Sequence, residues 1–236
     1  MDVITEGHPS PPIAVLQAKE ERKNIAITYT NTCSVGNKWH ELRIITENSD
    51  IIALTETWLR PDTAIESFCP PGLCIYRTDR QDGRTGGGAL LLIAQQYQQS
   101  QGPSLTTPNI QMASSIISVK GHTVFIACVY RSPNSSVSED KQLMTILATT
   151  ESRTSKLLIV GDFNAPEVDW SLESAPSNSF GESLLKLIRD NSLIQHVDEA
   201  TRWRANQKAN ILDLILTKYI NAINNLPLQV GTIIVL

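Results

Sequence analysis

The sequence predicts an α/β domain of two packed β-sheets with helices on the outside. Three observations carry this. Apolar, β-branched runs of strand length recur nine times, at NIAITYT, IIALT, LCIYR, ALLLIA, SIISVK, TVFIACVY, KLLIV, ILDLIL and TIIVL. Three other stretches space their apolar residues for one helix face. Several of the runs are apolar at consecutive positions, as suits strands covered on both sides.

Taken in order, residues 1–23 form a polar tail, with Pro9, Pro11 and Pro12 ahead of the charged KEERK. Residues 24–236 then continue as one domain without a repeat or a low-complexity break. NIAITYT is a strand ending at Asn31. Asn37 is expected to cap a helix that carries Trp39, Leu42 and Ile45 on one face. IIALT is a strand running into Glu56. LCIYR and ALLLIA follow, separated by a loop containing Gly86, Gly87 and Gly88. Gly121-His122 is expected to turn SIISVK back into TVFIACVY as a hairpin. Ser138 is expected to cap a second helix with Leu143, Ile146 and Leu147. KLLIV is a strand that leads into Gly-Asp-Phe-Asn at 161–164. Ser179 and Glu182 form a capping-box pattern before Leu184, Leu185, Leu187 and Ile188. ILDLIL and TIIVL supply the last strands.

The chain has 236 residues, 41% of them hydrophobic, enough for a sizeable core, and a formal net charge of −4. That balance does not announce a basic nucleic-acid-binding face. It suits a protein that meets phosphates through a bound cation. Cys33, Cys69, Cys74 and Cys128 show no metal-binding spacing and are expected as reduced thiols of an intracellular chain. The first residues lack the basic and apolar regions of a signal peptide. ALLLIA is far too short to cross a bilayer, so no membrane partner is expected.

Several strands finish on a polar residue that solubility does not require: Asn31, Glu56, Tyr130, then Asp162 with Asn164. Singly, each has an ordinary reading: solvated surface, rim, or Asx-turn chemistry. Gathered in one pocket, they would form a set of hard oxygen donors of the kind Mg²⁺ prefers. Asp213 resists the ordinary reading. In ILDLILT both strand faces are apolar, so its carboxylate is expected to be buried and to need a partner.

NTCSVGNKWHELR, DIIALTETWL, YRTDRQDGRTGGGALLLI, VYRSP, LLIVGDFNAPEVDW and ANILDLILTK, taken in this order, resemble the endonuclease domain of LINE-type (non-LTR, jockey-like) retrotransposons. That domain belongs to the endonuclease/exonuclease/phosphatase superfamily. The resemblance spans roughly residues 24–230. It implies a four-layered αββα sandwich, two mixed sheets flanked by helices, and a Mg²⁺-dependent phosphodiesterase (Mn²⁺ the alternative) that nicks DNA. The nick would supply a 3′-hydroxyl primer to a reverse transcriptase domain of the parent element. A monomer acting in the nucleus is implied. By position, Glu56 resembles the metal-binding carboxylate, helped by Asn31. Asp162 resembles the acid that deprotonates the attacking water, Asn164 the phosphate-contacting amide and Tyr130 the phenol at the scissile phosphate. Asp213 resembles the acid that orients the catalytic histidine. Arg84, Arg131 and Arg202, with Arg77 and Arg80, are candidate DNA phosphate contacts.

The sequence departs from the family in one respect. A Ser-Asp-His motif is expected ahead of the last strand, and NNLPLQVGTIIVL contains none. None of His8, His40, His122 and His196 lies where it could replace that histidine by sequence order. Either the chain stops ahead of the motif, or TIIVL is the last strand and the motif is deleted. Under either reading Asp213 is expected to lack its partner and to carry a raised pKa. A catalytically inactive domain of the same fold, retaining or lacking nucleic-acid binding, is the competing expectation.

Overall fold

A computed structural model describes residues 25–36, 38–151, 156–202, 209–223 and 232–235. The expected polar tail and Asn37 lie outside them. The described elements, in chain order, are β1 (Ala26–Asn31), α1 (Trp39–Asn48), β2 (Ile51–Thr55), β3 (Leu73–Thr78), β4 (Ala89–Ala94), β5 (Gln98–Gln101), β6 (Leu105–Thr106), β7 (Ile110–Val119), β8 (His122–Arg131), α2 (Val137–Glu151), β9 (Lys156–Asp162), α3 (Phe180–Asp190), β10 (Ile194–Gln195), β11 (Asp213–Thr217) and β12 (Thr232–Val235).

These strands form two mixed sheets. One runs β12-β1-β2-β4-β3; the other runs β10-β11-β9-β8-β7-β5, with β6 also paired to β7. Each contains one parallel pair, β1 with β2 and β8 with β9. Each parallel pair is joined by a helix, α1 in the first case and α2 in the second. That is the connection a parallel pair requires, because a tight hairpin reverses strand direction.

Three apolar clusters define four layers. Leu42 of α1 packs on Ile52, Leu54, Leu90 and Leu92 of the five-stranded sheet. The opposite faces of the same strands present Ile27, Ile51, Ala53, Leu91 and Ile93. These meet Ala113, Ile126, Cys128, Val160 and Ile215 of the second sheet. The outer face of that sheet is covered by Leu143 and Leu147 of α2 and by Leu184, Leu185 and Leu187 of α3. The order is therefore αββα, as expected. Strand alternation makes it so: consecutive residues of β2 and β4 are all buried because each face has a layer to meet.

All nine strand expectations have a counterpart, and three details differ. The hairpin turn is Lys120-Gly121, not Gly121-His122: Val119 pairs with His122, and both turn residues have positive φ, 48° and 78°. Those angles are what a two-residue type I′ turn needs, so the glycine takes the second turn position and His122 opens β8. Helix α2 is capped by Ser136, two residues before Ser138. The Ser136 hydroxyl accepts from the Glu139 N–H, and Glu139 accepts from the Ser136 N–H, closing a capping box. At α1 the cap position is Lys38, without a side-chain cap. Ser179 does cap α3, accepting from the Glu182 N–H at 3.0 Å, while Glu182 reaches past it to the Asn178 N–H.

The short strands β5, β6 and β10 have no signature in the sequence. QQSQ is polar, and the other two are single dipeptides. They are strands because a long neighbour offers unpaired backbone groups, which local sequence does not reveal. The four cysteines are free. No helix among the described residues is long and apolar enough to cross a membrane.

Candidate active site

Register gathers the candidate residues. Tyr130 of β8 lies level with Asp162 of β9, and Asp162 lies level with Asp213 of β11. All three point toward the other sheet, because they continue the series Ile126-Cys128, Leu158-Val160 and Ile215 that faces it. On the facing sheet, Tyr29 and Asn31 continue the inward series of β1, and Glu56 follows the last residue of β2. The site therefore closes one end of the inter-sheet core. Asn31, Glu56, Tyr130 and Asp162 all stand at or beside the carboxyl ends of the parallel strands.

Asp162 is the hub. Its Oδ2 accepts from Asn31 Nδ2 at 3.0 Å, which ties the two sheets together, and its Oδ1 accepts from the Asn164 N–H at 3.2 Å. Burial, then the neighbouring Asp213 and, against the pull of Arg202, Glu56, push its carboxyl up to about 8. Asn164 sits at positive φ (45°) and sends its Nδ2 to the Arg131 carbonyl at 2.8 Å, which leaves the second amide proton uncommitted by that bond.

Asp213 does have a partner. The phenol of Tyr29 donates to its Oδ1, and Thr201 Oγ1 accepts from its backbone N–H at 3.1 Å. The expectation of a partnerless acid is therefore corrected. The raised pKa does appear, with burial as its cause and the Tyr29 bond acting against it. Tyr29 itself is held well above the ordinary phenol value by burial and by Asp213. Strand alternation could have found Tyr29, which lies two residues before Asn31 on the same face.

Glu56 is held by a purpose-shaped surround. Its Oε2 accepts from Trp58 Nε1 at 2.8 Å and from the Gly87 N–H at 2.6 Å. Both Glu56 and Trp58 adopt positive φ, 53° and 57°, an uncommon setting for large side chains. The glycine run is needed for close approach. A Cβ on Gly88 would stand 2.2 Å from Thr57 Oγ1, and one on Gly87 would stand 2.6 Å from Gln111 Oε1. Fully buried Gln111, a residue the sequence did not single out, accepts from the Gly88 N–H at 3.0 Å and fixes that loop. Tyr130 lies within hydrogen-bonding reach of Glu56, and burial and that carboxylate raise its pKa, so it remains a protonated donor.

The arginines divide. Arg131 is buried: its Nε and Nη2 fork onto Asp140 at 2.7 and 3.0 Å, Nη1 reaches the Asn164 carbonyl at 2.9 Å, and the guanidinium lies 3.7 Å over the Phe180 ring. This corrects its assignment as a DNA contact, since the group is spent inside the protein. Arg77 ties down the 60–63 segment through the Arg60 and Thr63 carbonyls and pairs with Asp79 at 3.0 Å. Arg84 is exposed, beside Asp82 and Asn109. Arg202 is exposed and close enough to lower the pKa of both Asp162 and Asp213. Of the histidines, His196 bonds Thr217 Oγ1 at the far end of β11. His122 opens β8, at the opposite end of the strand from Tyr130, and His40 lies on α1. His8 lies outside the described residues.

Among the described residues, no three His, Cys, Asp or Glu side chains close into a metal cage. Mg²⁺ does not require one, since it keeps several waters and takes one or two carboxylates. The hard oxygens of Glu56 and Asn31, beside the buried acids Asp162 and Asp213, fit such an ion.

The fold is similar to that of the endonuclease/exonuclease/phosphatase superfamily. A family model described as Endonuclease-reverse transcriptase matches residues 124–230, from β8 past β11. Among solved structures, the endonuclease domain of TRAS1, a telomere-specific non-LTR retrotransposon, superposes with a TM-score of 0.64 at 15% identity, covering 90% of this chain and 96% of that one. An AP endonuclease from Leishmania major gives 0.62 at 12% identity, covering 90% and 86%. A 3′-5′ exonuclease from Neisseria meningitidis gives 0.60 at 16% identity, covering 90% and 99%. No curated protein matches the sequence.

Proposed function

We propose that this chain is a divalent-metal-dependent phosphodiesterase that nicks DNA, the target-site endonuclease of a non-LTR retrotransposon. The observation that carries the reading is the level register of Tyr130, Asp162 and Asp213 opposite Asn31 and Glu56. Hydrolysis of a phosphodiester needs a water-activating base, donors toward the phosphoryl oxygens and a fixed line of attack. Asp162, held by two hydrogen bonds and pushed up to about 8, is in its ionised form the proton acceptor for the attacking water. Tyr130, kept protonated, and Asn164, with a spare amide proton, are donors to the phosphate. Asp213, fixed by Tyr29, sets the charge beside Asp162. Glu56 and Asn31 would hold Mg²⁺ or Mn²⁺, which when bound supplies Lewis acidity and offsets the phosphate charge. Arg202 is exposed and can meet the DNA backbone; Arg84, exposed but held by Asp82, Asn109 and the Pro108 carbonyl, would do so on releasing them. A reverse transcriptase of the parent element would use the 3′-hydroxyl in the nucleus.

The test is nicking of supercoiled plasmid with Mg²⁺, with chelator, and with Glu56→Ala and Asp162→Ala. Nicking should require the cation and fall by at least ~10²-fold in each variant. Nicking that survives both substitutions overturns the site.

A second reading rests on the Tyr29 phenol already occupying Asp213. Under it the domain has lost turnover. DNA binding without nicking in Mg²⁺ or Mn²⁺ selects it.

A further inference from the structure

A cleft of about 290 Å³ opens beside Glu56, between the segment after β2 and the loop that carries the glycines. Its walls include Trp58, Arg60, Asp62, Arg80, Arg84 and Gly86. Three cations and one acid make it net positive in a chain of net charge −4. Trp58 is 43% exposed, although it is a large apolar residue held at positive φ. Its indole is fixed from behind by the bond from Nε1 to Glu56 and by the backbone bond from its N–H to the Gly87 carbonyl at 3.0 Å. The protein thus presents a rigid aromatic face next to the site.

Arg80 gives the independent sign of a ligand. Its Nε and Nη2 are sealed from solvent and have no hydrogen-bond partner, and only Nη1 reaches a carbonyl, that of Thr85 at 3.4 Å. Its guanidinium stands 5.9 Å from the Tyr130 ring. A guanidinium left short of acceptors beside a cleft is costly, and turning it into the cleft would let an anion complete it.

We infer that this cleft is a subsite for the nucleotide next to the scissile phosphate, with its base stacked on Trp58 and its phosphate taken by Arg80. The inference rests on the phosphodiesterase reading above. An aromatic platform with arginines accepts any base, because every base has a π-face. The subsite therefore grips a nucleotide splayed out of the duplex or single-stranded, and does so without sequence preference.

The test is binding of a single-stranded deoxyoligonucleotide to the full chain in chelator, read by fluorescence anisotropy. 2-Aminopurine placed at successive positions reports stacking. Trp58→Ala should weaken binding roughly ten- to a hundredfold and relieve quenching at one position. Trp58→Phe should keep most of both. Arg80→Gln should weaken binding and lower the salt slope by about one. Far-UV circular dichroism checks that each variant is folded. No binding by wild type, unchanged binding in Trp58→Ala, or equal loss in Trp58→Phe overturns the subsite. Equal loss would mean that the indole acts only through Glu56. If binding and quenching behave as expected while the wild type never nicks, the subsite stands and the phosphodiesterase reading falls.

Discussion

Tyr29 of the five-stranded sheet donates its phenolic proton to Asp213 of the seven-stranded sheet, across 184 residues of sequence. Both groups lie at the end of the inter-sheet core, where an unpaired carboxyl is expensive. Tyr29→Phe keeps the ring and removes the bond. We expect a stability loss of about 1–3 kcal/mol, measured by urea denaturation at neutral pH. An unchanged midpoint would mean that solvent satisfies Asp213.

Asp162 predicts a pH dependence. In the fold its carboxyl is raised from 3.8 to about 8, so the native state keeps a proton that the unfolded chain releases. Its contribution is fully present below the unfolded pKa and is lost as pH rises through the folded one. In chelator the melting temperature should fall between about pH 4 and about pH 8, and Asp162→Asn should flatten that slope. An equal slope in the variant would assign the effect elsewhere.

Gly161 precedes Asp162 with φ of 153°, and a Cβ there would stand 1.9 Å from the Val129 carbonyl oxygen. That oxygen belongs to the backbone of β8 and cannot turn aside. Gly161→Ala should cost about 3 kcal/mol or more and disturb the β8–β9 pairing. Denaturation midpoint and amide exchange along β9 would register it.

Arg131 separates a structural role from DNA contact. Arg131→Lys keeps the charge and loses the fork onto Asp140 and the hold on the Asn164 carbonyl. Stability should drop by about 3 kcal/mol, with the salt dependence of DNA binding unchanged. A salt slope reduced by about one would instead return Arg131 to the interface.

Much of the architecture was legible in the sequence because buried strands announce themselves through apolar runs. The polar residues at their ends were legible for the same reason, since nothing in the runs prepares for them. What stayed hidden depends on register. Tyr29 looks like one more aromatic in a strand until β11 places Asp213 opposite it. Gln111 looks like a surface residue ahead of a run until β7 extends back to include it. Arg131 follows Tyr130 on the opposite face of the same strand, so it belongs to the helix layer and not to the site. Period-two alternation could have shown that.

On the phosphodiesterase reading, the distribution of the site across the chain has a consequence for how activity would arise in time. β1 to β4 complete all but one strand of the first sheet before β5 begins the second. Tyr29, Asn31 and Glu56 belong to the early half; Tyr130, Asp162 and Asp213 belong to the late one. Neither half holds a working constellation. Docking the two sheets buries their shared core and assembles the chemistry in the same event. The gain of activity would therefore serve as a clock for the last long-range step of folding. A chain divided between β4 and β5 would be silent until its pieces met.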